Sequence, residues 1–90
     1  MNICRRKVLF FGHVQGVGFR DTVFSVAKHF NVTGHVRNLP NGSVELVAEG
    51  SPGEIRRFLE AIRNRMAGFI DREEISESPS TGESIGFEIR

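Results

Sequence analysis

Val8-Leu9-Phe10-Phe11-Gly12-His13-Val14-Gln15-Gly16-Val17-Gly18-Phe19-Arg20 is the stretch along which the spacing of apolar residues changes, and that change decides the fold. As far as Val14 the apolar residues favour β-structure and no helix cap intervenes, so residues 3–14 are expected to form a strand. Gln15-Gly16-Val17-Gly18 is loop chemistry. From Phe19 the period becomes 3.6. Phe19, Val23, Val26, Ala27 and Phe30 fall on one face, which predicts a helix over 20–30 with Asn31 as its stop.

Working outward, residues 32–38 read as a second strand, Leu39-Pro40-Asn41-Gly42 as a turn, and residues 43–49 as a third strand. Val44, Leu46 and Ala48 lie on one face of that strand and Ser43, Glu45, Val47 and Glu49 on the other. The two strands make a hairpin. Ser51-Pro52-Gly53-Glu54 is a helix start: Ser51 can cap, Pro52 suits the first turn, and Glu54 stands three after Ser51 as in a capping box. Ile55, Phe58, Leu59, Ile62 and Met66 continue at helical spacing to Gly68, with Arg56, Arg57, Glu60, Arg63 and Asn64 on a solvated face. Residues 69–78 suggest a weak strand, Pro79-Ser80-Thr81-Gly82 a loop. Ile85, Phe87 and Ile89 alternate strictly in a last strand over 84–90. The expected architecture is an α+β, ferredoxin-like sandwich. Two helices pack on one face of a mainly antiparallel sheet of four to five strands, in a single domain over 1–90.

Ninety residues support one compact core. The formal charge of +1 argues against a protein that lives on phosphate-backbone contacts, and Arg5-Arg6-Lys7 reads as the solvent face and edge of a strand. Eight Phe with no Trp or Tyr make the aromatic content mostly core material. The one cysteine, Cys4, cannot form an internal disulfide, which points to a reducing compartment and a cytoplasmic protein. Cys4 itself reads as an inert, partly buried strand residue, and whether it forms an intermolecular disulfide is left open. No apolar run approaches a membrane span, and Val8–Phe11 is too short for the core of a signal peptide.

The chemistry-bearing segment runs from Gly12 to Arg20. A strand ends, a glycine-rich turn follows and a helix begins at an arginine. The first N–H groups of a helix have no internal partner and carry partial positive charge, while glycines let successive N–H groups converge. Arg20 adds a permanent charge whose planar fork matches phosphate oxygens. The segment is neither a nucleotide P-loop, since no Gly-Lys-Ser/Thr follows, nor a dinucleotide fingerprint, since Asp21 stands where a third glycine belongs. On spacing alone it fits an anion site or a tight strand-to-helix turn bearing a surface arginine. Asn38, at the end of the second strand, fits either turn chemistry or a side chain that orients a water. His13, His29 and His35 show no metal-ligand spacing, and no metal or cofactor is expected.

Together the two segments resemble the signatures of the acylphosphatase family. The first is carried by Gly12, Val14, Gln15, Gly16, Val17, Phe19 and Arg20. The second is carried by Gly34, Val36, Arg37, Asn38, Gly42 and Val44, with a later glycine at Gly50. The likeness covers essentially the whole chain, including the Phe87-Glu88-Ile89-Arg90 ending. It departs at His35, where the family usually has an aromatic ring, and so leaves the local packing there open. The resemblance implies hydrolysis of acyl phosphates to a carboxylate and inorganic phosphate without cofactor or metal. It also implies that Arg20 binds the phosphoryl group with the backbone amides of Gln15, Gly16, Val17, Gly18, Phe19 and Arg20, and that Asn38 positions the attacking water. The partners it implies are a small-molecule acyl phosphate and product phosphate, with no nucleic acid and no membrane. Three other readings are weighed beside it. An RNA-binding module would present aromatics on its central strands, and Phe10 and Phe11 lie on the first strand while 43–49 has none. A regulatory domain of a larger enzyme is the second, against which the Met1 start and the closing strand suggest a free-standing protein. The third is a silent relative, against which Arg20 and Asn38 stand.

Overall fold

The structure is a computed structural model that describes residues 3–90; Met1 and Asn2, the first residues of the expected 1–90 domain, lie outside the described residues. The elements are β1 (Cys4–Gly12), α1 (Phe19–Ala27), β2 (Thr33–Asn38), β3 (Val44–Gly50), α2 (Pro52–Arg65), β4 (Ile70–Pro79) and β5 (Phe87–Ile89). One five-stranded sheet runs in the order β4-β1-β3-β2-β5. Its β1–β3, β1–β4 and β2–β3 pairs are antiparallel and its β2–β5 pair is parallel.

Side chains alternate across a strand, so the register identifies the core face. Val8, Phe10, Val36, Val44, Leu46 and Ala48 share that face and join Phe19, Val23 and Val26 of α1 and Ile55, Phe58, Leu59 and Ile62 of α2 in one buried cluster. Both helices therefore cover the same side of the sheet, as the expected sandwich requires. Phe58 lies at the centre of this layer, its ring 5.6 Å from that of Phe87 and 6.0 Å from that of Phe30. Burying a Phe side chain contributes about 1.5–3 kcal/mol.

The boundaries differ from the expected ones for identifiable reasons. β1 ends at Gly12, not residue 14, because the β1–β4 register shifts between Phe11 and Gly12 and the chain turns away into the loop. α1 ends at Ala27, not residue 30. The N–H groups of Lys28, His29 and Phe30 bond to carbonyls three residues back, so the last turn tightens while Phe30 still packs on the core. Ser51 caps α2 by accepting from the Glu54 N–H at 3.3 Å. The Glu54 carboxylate does not complete the box; it accepts from the Asn31 N–H and from Arg57.

The expected strand over 84–90 is reduced to Phe87–Ile89, and Ile85 is fully exposed, so Ile85, Phe87 and Ile89 do not share a buried face. The topology explains this. β4 and β5 are the two edges of the sheet, roughly 19 Å apart at about 4.8 Å per strand spacing. The connection over 80–86 must cross that width and forms no strand of its own. Glu49 of β3, on the face away from the helices, catches it. The carboxylate accepts from the Ser80 hydroxyl (2.6 Å), the Thr81 N–H and hydroxyl (3.1 and 2.8 Å) and the Gly82 N–H (3.1 Å), and pairs with Arg5 at 3.1 Å. Burial pushes this carboxyl up, but the bonds from Ser80, Thr81 and Gly82 outweigh it and hold it at about 2.

Candidate functional site

The site is built where β1 gives way to α1. Gly16 and Gly18 adopt left-handed backbone, with φ of 76° and 78°, and a Cβ at either would meet nothing within 4 Å. Glycine is needed there for conformation, and the missing side chains leave the loop open to solvent. Gly34 differs: a Cβ there would overlap the Val47 carbonyl, so that motif glycine serves the close approach of β2 and β3. Gly18 is the N-cap of α1, with no side-chain cap. Its carbonyl accepts the first helical bond, from the Thr22 N–H at 3.0 Å. The N–H groups of the first turn have no partner within the helix, which puts a positive dipole end at the loop.

A concavity of about 200 Å³ opens at this helix start, lined by Val14, Gly16, Gly18, Phe19, Arg20, Asp21 and Asn38. Arg20 comes from the first turn of α1. Asn38 is the last residue of β2, paired with Val44 and two residues on from core-facing Val36, so it lies on the helix side of the sheet. The structure thus brings together Arg20 and Asn38, which the sequence places eighteen positions apart. Of the other residues expected to bind phosphate, Gly16, Gly18 and Phe19 line the concavity. Val17 packs against the core, and the Gln15 side chain turns to the β2–β3 turn, where its Nε2 donates to the Leu39 and Ser43 carbonyls, each at 2.9 Å. Asp21 lines the site without having been expected there; its only signal in the sequence is its place one residue after Arg20.

The remaining polar groups lie elsewhere. His35, at the position where the resemblance leads one to expect an aromatic ring, is buried on the sheet face away from the helices. Its Nε2 is 3.2 Å from Glu45 Oε1, which also accepts from Arg37 Nε at 2.8 Å. Burial pulls the Glu45 carboxyl up, but the bonds from Arg37 and His35 leave it below the ordinary range. His13 is exposed with its ring 6.3 Å from that of Phe69, and His29 is exposed in the turn that follows α1. Among the described residues no three His, Cys, Asp or Glu side chains converge as metal ligands would. Cys4 is partly buried, and burial together with nearby Glu77 raises its thiol pKa, which lowers its reactivity. The aromatics an RNA-binding surface would use are engaged: Phe10 is fully buried and the Phe11 ring lies 3.9 Å from the Arg72 guanidinium.

The acylphosphatase family model matches residues 6–89, which takes in the loop, Arg20, Asn38 and the closing strand. The chain belongs to the acylphosphatase family. An acylphosphatase of Methanospirillum hungatei is 41% identical over 88 residues, covering 96% of each chain. The crystal structure of an acylphosphatase from Bacillus subtilis superposes with a TM-score of 0.88 at 32% identity, covering 97% of this chain and 98% of that one. An acylphosphatase structure from Coxiella burnetii gives 0.82 at 31% identity, over 99% and 94% of the two chains. Among the described residues no helix is long and apolar enough to cross a membrane.

Proposed function

We propose that this chain hydrolyses the carboxyl–phosphate bond of acyl phosphates, releasing a carboxylate and inorganic phosphate. In this reading Arg20 and the N–H groups of residues 15–20 hold the phosphoryl oxygens, and Asn38 positions the attacking water. The observation that carries it is that Arg20, the uncapped start of α1 and Asn38 line one concavity of about 200 Å³. Water oxygen bonds to phosphorus as the bridging P–O bond breaks. The acyl group leaves as a carboxylate with the bonding electrons, and the water proton goes to phosphate or solvent. A carboxylate leaves readily, so the step needs little acid catalysis. Placing water in line and stabilising charge on the equatorial oxygens supplies most of the acceleration. The guanidinium fork and the helix dipole provide that charge stabilisation without requiring a metal.

The same reading takes the substrate as a small acyl phosphate, not a nucleic acid or a membrane component, and the cytosol as the compartment. The near-neutral charge and the single, partly buried cysteine support it. Steady-state hydrolysis of benzoyl phosphate with and without chelator tests it, with Arg20→Ala alongside. Turnover should survive the chelator. Losing a charge-assisted fork to a dianion should lower kcat/KM by about 10²-fold or more and remove inhibition by phosphate. Activity that vanishes with chelator and returns with a divalent metal, or an Arg20→Ala variant of near-normal kcat/KM, would overturn the reading.

A further inference from the structure

Gln15 stands immediately before the loop glycines, yet its side chain works on another element. Its Nε2 donates to the carbonyl oxygens of Leu39 and Ser43, each at 2.9 Å. Those two carbonyls are also bonded inside the hairpin: Ser43 O accepts from the Leu39 N–H at 2.9 Å, and Leu39 O from the Gly42 N–H at 3.1 Å. The turn is stiffened further by Asn41 Oδ1, which accepts from the Ser43 N–H at 3.0 Å and from its hydroxyl at 2.5 Å, with Ser43 itself buried. The Gln15 amide therefore closes a knot of bonds around a rigid turn that begins one residue after Asn38. Two carbonyl acceptors in front of one amide also settle its orientation, because an oxygen there would face two oxygens.

Loop and hairpin each carry one half of the site, Arg20 on the first and Asn38 on the second. Gln15 is a side-chain tie between them and does not itself line the concavity. We propose that Gln15 is a positioning residue that sets the distance between the phosphoryl cradle and Asn38. This rests on the roles given to Arg20 and Asn38 above. The attacking water must lie opposite the breaking P–O bond, and a displacement of about 1 Å at such a centre costs on the order of 10²-fold in rate. Releasing the tie lets the distance between the loop and Asn38 change, while Arg20 keeps its place in the first turn of α1.

Gln15→Met removes both donors at nearly constant length. We expect it to melt cooperatively and to hydrolyse benzoyl phosphate with kcat lowered by about 10-fold to 10²-fold. Competitive inhibition by inorganic phosphate should weaken by less than about threefold, because ground-state anion binding does not use the hairpin. The deciding measurement is a double-mutant cycle. If Gln15 acts through Asn38, Gln15→Met/Asn38→Ala should turn over within about twofold of Asn38→Ala alone. Should Gln15→Met fail to fold, Gln15→Glu replaces it. Its kcat relative to wild type should rise as pH falls and the carboxyl gains a proton to donate. An impaired Asn38→Ala beside a Gln15→Met of wild-type kcat overturns the positioning role and leaves the role of Asn38 intact. So do losses that multiply in the double variant, or a flat pH ratio in Gln15→Glu. An Asn38→Ala variant with wild-type kcat overturns the role of Asn38, and this inference with it.

Discussion

Replacing Glu49 with Gln should destabilise the fold by about 3 kcal/mol at neutral pH while sparing the chemistry. Glu49 is 3% exposed, and its carboxylate accepts from Ser80, Thr81 and Gly82 while pairing with Arg5. Its pKa falls from 4.5 to about 2 in the folded chain, and at about 1.36 kcal/mol per pH decade that difference amounts to about 3 kcal/mol. A Gln side chain keeps the shape but turns an NH₂ toward donors. The sign follows from proton binding. Between pH 4.5 and 2 the unfolded chain takes up a proton that the folded chain refuses, so the contribution is complete above about pH 5 and lost as pH falls toward 2. Urea unfolding followed by far-UV circular dichroism at several pH values measures it; the chain has no Trp or Tyr to report by fluorescence. At about 4–8 °C per kcal/mol for a chain of this size, the melting temperature at pH 7 should drop by roughly 12–24 °C. The gap between wild type and Glu49→Gln should narrow from pH 5 to pH 3. Benzoyl phosphate turnover of the folded variant should be unchanged. Glu49 lies five residues along β3 from Val44, the partner of Asn38, or about 17 Å at strand rise. A variant within about 0.5 kcal/mol of wild type, or a gap independent of pH, would refute this role of Glu49.

Two further outcomes are expected. Asn38→Ala should stay folded and keep its phosphate affinity within about threefold while kcat falls by about 10²-fold, since water placement matters in the transition state more than in the bound ground state; a folded variant that no longer binds phosphate would place Asn38 in the anion site instead. Gly34→Ala sets a Cβ against the Val47 carbonyl at a φ of 146°. It should cost about 3 kcal/mol or more by chemical denaturation, and a variant as stable as wild type would show that β2 and β3 can part without loss.

The elements that local physical chemistry specifies were readable from the chain alone. The change of period at Phe19 marks the start of α1, Ser51 and Pro52 mark the start of α2, and Asn41-Gly42 closes the β2–β3 hairpin. These signals act over a few residues, the range within which side-chain spacing and backbone conformation are coupled. The paired segments around Arg20 and Asn38 were readable for another reason, their likeness to a family. Tertiary structure decided what depends on distant neighbours. It gave β5 a parallel place beside β2, which left Ile85 in solvent although its alternation suited a strand. It turned Glu49 and Glu45, ordinary outward-facing positions by period, into buried carboxylates held by residues 80–82 and by His35 with Arg37. It also carried the Gln15 side chain away from the loop whose motif it belongs to and onto carbonyls 24 and 28 residues further along. A carbonyl's free lone pair leaves no trace in the spacing of side chains, so only the packed chain could show which donor would find it.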